Sequence, residues 1–267
     1  MALCSCRNGI DSLLGESYDI DRRAEFRDMI PSSSIPEKYA VIVISDLHLE
    51  EQGNGDMEDF ISCLSAYPFA ADSRPRFCIV MGDIAENGYK AEYEVYLNFR
   101  SRLEAMGMQV LSTPGNHDTY ASGNYGKNYM KVIGGSTFYR MRAGNVSFYV
   151  LDTADGTLGY EQLHTLEEKL GKDDSRKLVF SHYPPYSSSA NYSMLNSTES
   201  AKLLSLYAKS GVELVFSGHT HAHEEREFGS FRSVTVGSIV RDNGRRNFAI
   251  LFVNGGSGSF RLESVDF

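Results

Sequence analysis

Unbroken apolar runs are the clearest feature of this chain, and they predict its β-strands. The run Ala40-Val41-Ile42-Val43-Ile44 has no polar interruption, which is typical of a strand covered on both faces. Similar apolar segments recur along the chain. The last three follow each other closely, which predicts an antiparallel run of strands near the C-terminus. The predicted strands cover residues 40–45, 76–81, 108–112, 146–151, 177–181, 212–216, 231–237, 246–253 and 258–265.

Apolar residues at helical spacing fill several segments between these strands. The first such segment opens with an acidic turn at Asp56, and the second stops before Gly107, a residue type that commonly ends helices. The predicted helices cover residues 56–67, 89–106, 159–170 and 197–210. Strands that alternate with helices predict an α/β fold.

The chain has the length and composition of one large soluble domain. It has 267 residues, of which 42% are apolar and 23% charged. Residues 1–38 are polar and punctuated by serine and proline, which predicts a loosely packed leader before a domain over residues 39–267. The longest polar stretches inside that domain are 119–136 and 183–196, and long loops in compact α/β proteins are often functional.

The overall charge is acidic, with a formal net charge of −9 and a pI of about 5.3. Binding to nucleic acid or to an anionic membrane needs a basic surface, so we expect no nucleic-acid partner. Bound divalent cations would still attract phosphate inside an acidic protein. No stretch approaches the ~20 apolar residues of a transmembrane helix. The sequence does not predict an oligomeric state.

The four cysteines do not form a disulfide framework. Cys63 lies in a helical pattern and Cys78 in a strand, which predicts two buried thiols. The segment Leu3-Cys4-Ser5-Cys6 resembles the end of a bacterial lipobox, but no basic and apolar signal precedes it. The predicted location is cytoplasmic. With a start codon upstream of Met1, the alternative is a protein lipid-anchored through Cys6, or exported.

Five of the seven histidines lie in short motifs that each follow a predicted strand. In order, the motifs are Asp46-Leu47-His48, Gly82-Asp83, Gly115-Asn116-His117-Asp118, His182 and Gly218-His219-Thr220-His221. Because functional sites in α/β sheets gather at the carboxyl ends of strands, we expect these side chains to converge. The i, i+2 spacing places both histidines of the last motif on one side of an extended segment. The glycines permit sharp bends and close approach.

Apart from the adjacent pair His117-Asp118, the donors in these motifs are two carboxylates, one amide oxygen and four imidazoles. Such a set suits iron, manganese, zinc, cobalt or nickel, and it argues against copper(I), iron–sulfur clusters and calcium. Seven side chains with one shared carboxylate give two ions four protein ligands each. Paired metals ~3.5–4 Å apart hydrolyse phosphate esters. A single motif of this kind also occurs by chance or as a structural turn, so the prediction depends on the complete ordered set.

This ordered set resembles the calcineurin-like metallophosphoesterase superfamily, whose pattern is D-x-H, G-D, G-N-H-D/E, H and G-H-x-H. The match spans residues 46–221, and every motif is intact. The resemblance implies a four-layer sandwich of two mixed β-sheets flanked by helices, with a dinuclear site at its edge. It also implies two divalent or mixed-valence transition metal ions as cofactors and a small phosphate ester as substrate.

The resemblance further implies a role for each motif residue. One metal would be bound by Asp46, His48, Asp83 and His221, and the other by Asp83, Asn116, His182 and His219. A hydroxide between the metals would attack phosphorus in line. His117, beside Asn116, would contact the phosphate and protonate the leaving oxygen, which suits histidine because free imidazole titrates near neutral pH. Asp118 would orient His117 and raise its basicity.

This chain departs from the sequence patterns of three other branches of the superfamily, which narrows the choice of the branch that it resembles. Glu86 stands where purple acid phosphatases carry a tyrosine ligand, and the stretch 82–88 lacks the arginine of protein Ser/Thr phosphatases. His117 stands where the UDP-diacylglucosamine pyrophosphatases usually have arginine. The loop His182-Tyr183-Pro184-Pro185 is similar to that of class III cyclic-nucleotide and glycerophosphodiester phosphodiesterases, although Tyr183 occupies a position where histidine is common.

Tyrosines in the two polar loops are candidates for substrate contacts, with Tyr183 the first of them. The alternative is that the aromatic residues of these loops pack on one another. The other candidates are Tyr120, Tyr125, Tyr186, Asn191 and Tyr192.

The main functional hypothesis is a metal-dependent hydrolase of small phosphodiesters or phosphomonoesters. The first alternative is a non-catalytic scaffold that keeps the fold for binding, although no ligand of the pattern is missing here. The others are a protein phosphatase and a nuclease. The missing arginine argues against the former, and the acidic charge argues against the latter.

Overall fold

The computed structural model describes residues 25–53, 55–120, 126–188, 192–241 and 246–267, which form alternating strands and helices. The strands are β1 (Arg27–Met29), β2 (Lys38–Ile44), β3 (Pro75–Met81), β4 (Gln109–Thr113), β5 (Tyr139–Ala143), β6 (Val146–Val150), β7 (Arg176–Phe180), β8 (Val212–Ser217), β9 (Glu224–Glu227), β10 (Arg232–Thr235), β11 (Asn247–Asn254) and β12 (Ser259–Asp266). The helices are α1 (Asp56–Ala66), α2 (Lys90–Ala105), α3 (Asn116–Tyr120), α4 (Lys127–Val132), α5 (Tyr160–Lys172) and α6 (Ser197–Lys209).

The strands form two mixed sheets. The five-stranded sheet has the order β12-β11-β2-β3-β4, and its strands β2, β3 and β4 run parallel. The seven-stranded sheet has the order β1-β5-β6-β7-β8-β10-β9, in which β6, β7, β8 and β10 run parallel. Antiparallel partners complete both sheets. The predicted fold class, an α/β sandwich of two mixed sheets flanked by helices, is confirmed.

Three apolar clusters fill the spaces between the four layers. Val41 and Val43 of β2 face the space between the two sheets, whereas Ile42 and Ile44 face the helices that cover the five-stranded sheet. A third cluster lies between the seven-stranded sheet and helices α5 and α6. Burying one such valine or isoleucine stabilises the fold by about 1.5–3 kcal/mol. The unbroken apolar run of β2 therefore follows from burial on both faces.

All nine predicted strands and all four predicted helices are confirmed, with small shifts at their ends. The predicted antiparallel run at the C-terminus is wrong in part. Strand β10 pairs with β8 and β9 in the seven-stranded sheet, and only β11 and β12 pair with each other. The connection from β10 to β11 therefore crosses between the sheets. Three strands (β1, β5 and β9) and the short helices α3 and α4 were not predicted.

Strand β1 lies within the segment predicted to be a leader, where it pairs in parallel with β5. The boundary between leader and domain stays a prediction. Cys4 and Cys6 lie outside the described residues. Cys78 is buried as predicted and Cys63 is only half-buried, and both are free thiols. Within the described ranges, no helix has both the length and the apolar character needed to span a membrane.

Candidate metal centre

The seven predicted ligands follow five strands whose carboxyl ends meet at one edge of the sandwich. The first two ligands follow β2, and single ligands follow β3, β4 and β7. The last two follow β8. The two sheets meet here through a bridge between Ser45 and Ser238. This contact brings ligands from both sheets within reach of one another.

Two glycines permit the close approach of the ligand loops. A Cβ atom at Gly218 would lie 1.8 Å from the Ser45 hydroxyl, and one at Gly115 would lie 2.3 Å from Asp83 Oδ1. Neither loop could hold its position with a larger residue, because such contacts are far inside van der Waals distance. Both glycines directly precede a ligand in the chain, as the sequence pattern predicted.

Backbone strain is concentrated on the ligands. Among the described residues, five that are not glycine have positive φ, and all five are predicted ligands. They are Asp46 (56°), His48 (44°), Asp83 (48°), His219 (68°) and His221 (54°). Left-handed backbone of this kind costs of order 1 kcal/mol or more per residue and persists where function needs it.

The first cluster consists of Asp46, His48, Asp83 and His221, whose ligand atoms lie within 4.8 Å of one another. The Nε2 atoms of His48 and His221 are 3.0 Å apart. Asp46 Oδ1 is 3.3 Å from His221 Nε2, and Asp83 Oδ2 is 3.8 Å from His48 Nε2. His48 donates Nδ1–H to Glu86 Oε2 at 2.7 Å, which leaves its Nε2 lone pair directed at the cluster.

The second cluster consists of Asp83, His182 and His219, with Asn116 beside them. His182 donates Nδ1–H to the Met81 carbonyl at 2.8 Å. Its Nε2 lies 2.9 Å from Asn116 Oδ1, 3.2 Å from His219 Nδ1 and 3.3 Å from Asp83 Oδ2. Asp83 belongs to both clusters. The structure therefore brings together all seven residues that the sequence predicted as ligands.

The arrangement of lone pairs fits a cation. Acceptor atoms of His182, Asn116 and His219 face each other at 2.9–3.2 Å, where they repel unless a cation or a proton lies between them. Asp46 Oδ1 is buried and accepts no hydrogen bond from any residue that the structure describes. A buried carboxylate oxygen without a donor is costly, and coordination to a metal removes that cost.

Metal-free pKa values reflect this crowding. Burial lowers the pKa of His48, but the hydrogen bond to Glu86 and the charges of Asp83 and Asp46 raise it to about 9. The pKa of His182 is likewise raised to about 9 by Asp83 against the effect of burial. Burial and the neighbouring His182 lower the pKa of His219 to about 4. In the metal-free protein, protons on His48 and His182 thus occupy the positions that a metal would take.

The two carboxylates of the clusters stay ionised. Burial raises the pKa of Asp46, but contact with His221 and the charge of His182 outweigh burial and hold that pKa at about 2. The pKa of Asp83 is held well below its usual value by His182, His117 and His48, although burial opposes the shift. Both carboxylates are therefore anionic at neutral pH, the form in which a carboxylate can bind a metal.

His117 lies beside the clusters and its side chain is partly exposed. Its backbone N–H donates to Asp83 Oδ1 at 2.8 Å, and its Nδ1–H donates to the Glu86 carbonyl at 2.6 Å. The ring packs edge-on against His48, with centroids 4.6 Å apart. Since Nδ1 is occupied by the carbonyl, Nε2 is the atom that can exchange a proton with a substrate.

The contacts of Asp118 go to the backbone of two loops and to Tyr93, and its predicted role in orienting His117 stays a prediction. The buried Asp118 carboxylate accepts hydrogen bonds from the backbone N–H groups of Ile84 (3.2 Å), Ala85 (3.0 Å) and Gly115 (2.8 Å). It also accepts one from the Tyr93 hydroxyl at 3.0 Å. Burial and the charge of Asp83 raise the pKa of Asp118 to about 6. Asp118 thus ties two loops together, and the His117 ring is bonded to the Glu86 carbonyl.

A family model of calcineurin-like phosphoesterases matches residues 39–223, which include every residue of both clusters. The chain belongs to the calcineurin-like phosphoesterase family. It is therefore a phosphoesterase, a hydrolytic enzyme, and the family implies divalent metals at the clusters described above.

Similar proteins within the family agree with this assignment. A probable cyclic nucleotide phosphodiesterase of Fibrobacter succinogenes is 29% identical over 187 residues, covering 67% of this chain and 71% of that protein. A probable cyclic nucleotide phosphodiesterase of Synechococcus sp. is 25% identical over 195 residues, covering 68% and 73%. A dimetal phosphatase structure from Danio rerio shares the fold, with a TM-score of 0.57 and 15% identity over 80% of this chain and 92% of that one.

Glu86 is a site residue whose role the sequence did not predict. The Glu86 carboxylate bonds to His48, and the Glu86 carbonyl bonds to His117. The sequence marked Glu86 only as a departure from another branch and indicated neither partner. A carboxylate behind a ligand histidine fixes the tautomer and raises the basicity of the ligating nitrogen.

The structure describes the side chains of three of the six residues that were candidates for substrate contacts. Tyr183 is only 5% exposed, and its ring packs on His219, which argues against a direct contact with substrate. Tyr192 is 47% exposed with its ring centroid 6.0 Å from that of His219, whereas the ring of Tyr186 packs edge-on against Phe228. Tyr125, Asn191 and the side chain of Tyr120 lie outside the described residues.

Proposed function

We propose that this phosphoesterase is a dinuclear-metal phosphodiesterase that acts on small diesters. The observation that supports a pair of ions is Asp83, whose carboxylate belongs to both ligand clusters. Asp46, His48 and His221 would complete the first site, and Asn116, His182 and His219 the second. Two divalent or mixed-valence ions of manganese, iron, zinc, cobalt or nickel would supply Lewis acidity toward phosphate and lower the pKa of coordinated water.

The remaining site residues position the substrate and move one proton. His117 lines the pocket beside the first cluster, and we assign its Nε2 the protonation of the leaving oxygen, because its Nδ1 bonds to the Glu86 carbonyl. We also assign Asn116 and His117 to contacts with the phosphoryl group. Glu86 and Asp118 hold the loops and rings in place and are positioning residues.

The carboxylates around the pocket disfavour the second negative charge of a monoester. A cavity of about 480 Å³ opens above the first cluster, lined by His48, Glu50, Gly53, Glu86, His117, His221 and Val240. Among these described lining residues, two carry carboxylates and none is lysine or arginine. At a given distance, these carboxylates repel a monoester dianion twice as strongly as a diester monoanion, while the bound metals would attract both. The names of the two similar phosphodiesterases support the same substrate class.

A substrate panel tests this proposal. We expect the manganese-loaded protein to hydrolyse bis(p-nitrophenyl) phosphate and cyclic nucleotides with a higher kcat/KM than p-nitrophenyl phosphate. Chelator-treated protein is the control. Preference for the monoester would contradict the diester assignment. Stable metal binding without hydrolysis of any ester across manganese, iron, cobalt and zinc would instead favour the scaffold alternative.

Metal binding should weaken as the pH falls. Because the metal-free pKa values of His48 and His182 are raised to about 9, both rings carry a proton at pH 7 that a metal must displace. The apparent affinity of each site should rise with pH up to about 9, by about tenfold per pH unit for one displaced proton. Calorimetric titration of metal-stripped protein with manganese at pH 6.5, 7.5 and 8.5 measures this slope. An affinity independent of pH would contradict it.

A further inference from the structure

His219 is held in place differently from His48 and His182. Each of those two rings donates Nδ1–H to an oxygen atom, from Glu86 and from Met81 respectively. His219 instead turns Nδ1 toward the second cluster, 3.2 Å from His182 Nε2. Within the described ranges, its Nε2 has no hydrogen-bond partner. The rotation of this ring is therefore not restricted by a hydrogen bond between Nε2 and any described residue.

The His219 ring is instead contacted by the aromatic ring of Tyr183. The Tyr183 ring lies with its centroid 3.9 Å from that of His219 and its plane tilted by 32°. Tyr183 itself is fixed, since its N–H donates to Thr153 Oγ1 at 2.9 Å and its carbonyl accepts from Ser181 Oγ at 3.0 Å. Tyr183 is buried in the apolar cluster beneath helices α5 and α6, so its ring has no open space into which to move.

The backbone of His219 makes such support necessary. This residue has φ of 68°, and its N–H is bonded to Asp46 Oδ2 at 3.0 Å. The backbone of His219 is therefore fixed in a strained conformation within its loop. The rotamer of the His219 side chain then depends on packing. A flat, immobile ring against one face of the imidazole restricts rotation about both side-chain bonds.

We infer that Tyr183 is a positioning residue that fixes the His219 ring for metal binding by stacking, in place of a hydrogen bond. The inference rests on the proposed function, because it assigns His219 to the second metal site. It requires the flat ring of Tyr183 and does not depend on the hydroxyl. It also explains how tyrosine can stand in the His-x-Pro-Pro loop beside a ligand without touching substrate.

Metal titration tests the inference with two variants of Tyr183. Tyr183→Phe should keep both manganese affinities within about threefold of the parent protein. Tyr183→Leu keeps an apolar side chain but removes the flat face, and it should weaken one of the two sites by about 10- to 100-fold, the usual effect of losing a residue that supports a ligand. Equal affinities for the parent protein and the Leu variant would overturn the inference.

The matched control is Tyr207→Leu, which removes another fully buried tyrosine from the same apolar cluster, where it packs on Phe231. It should lower the Tm to a similar extent and leave both metal affinities unchanged. A loss of affinity as large as that of Tyr183→Leu would show that any damage to this cluster has the same effect, and the inference would fall.

Histidine NMR of the metal-free protein separates this inference from the proposed function. The ring current of Tyr183 should shift the His219 ring protons upfield in the parent protein and in Tyr183→Phe, and this shift should vanish in Tyr183→Leu. An unchanged shift in the Leu variant would overturn the inference even if the parent binds two metals. If the parent binds none, the proposed function fails, while these spectra still decide the role of Tyr183.

Discussion

Replacing Asp83 with asparagine is expected to abolish phosphodiester hydrolysis and to remove at least one of the two metals. Asparagine preserves the volume of the side chain and an oxygen that can accept the His117 N–H bond, so the loop should keep its shape. The negative charge that both clusters share is lost, and two cations would then face each other without a common anion. The fall in kcat should exceed the ~100-fold typical of losing a residue that only supports a ligand.

The measurement combines metal analysis with turnover of bis(p-nitrophenyl) phosphate. Asp72→Asn is a suitable control, because Asp72 is an exposed aspartate that pairs with Lys38 and precedes β3, whereas Asp83 follows that strand at its other end. The control should retain two metals and full activity. An Asp83→Asn protein that keeps both metals and activity within tenfold would disprove the shared ligand.

The position of the site could be predicted because it depends on a general rule of sheet architecture. Asp46, Asp83 and Asn116 each follow one of three adjacent parallel strands, so their convergence follows from strand order alone. His182 follows a strand of the second sheet. Its distance to Asn116 depends on how the two sheets pack, which periodicity does not show. The resemblance to a family supplied that information.

The supporting contacts of the site could not be predicted. Glu86 meets His48 because the loop after β3 pairs with Leu49, through Leu49 N–H to the Ile84 carbonyl and Glu86 N–H to the Leu49 carbonyl. Such pairing involves backbone atoms that every residue has, so no residue type indicates it. The position of Asp118 beside His117 suggested a contact between neighbours. The first turn of a helix, however, directs its carboxylate back toward Gly115.

The missed strands have a similar explanation. Strand β9 has the sequence Glu224-Glu225-Arg226-Glu227, which lacks any apolar alternation because it forms the outer edge of its sheet. Its register with β10 is set by backbone hydrogen bonds, and the Glu225–Arg232 ion pair lies across the same two strands. Charged edge strands resist pairing with other chains, so their composition reflects solubility more than burial.

Replacing His117 with alanine is expected to slow hydrolysis in proportion to how much the leaving group needs a proton. For a substrate with an alkoxide leaving group, such as a cyclic nucleotide, kcat should fall by about 10²- to 10⁴-fold, the usual contribution of general acid catalysis. For bis(p-nitrophenyl) phosphate the fall should be much smaller, because p-nitrophenolate leaves without protonation. The backbone N–H bond from residue 117 to Asp83 persists in the variant, so the ligand loop should be unchanged.

The test compares the loss of kcat for the two substrates and measures the metal content of the variant. His117 is not a member of either cluster that contains Asp83, so the variant should still bind two metals. His164→Ala, which removes a histidine that stacks on exposed Tyr160 on helix α5, should change neither rate. Equal losses for both substrates with two metals bound would show that His117 binds the phosphate and does not donate the proton. Loss of a metal would instead make His117 a ligand, through the group that it forms with His48 and Glu86.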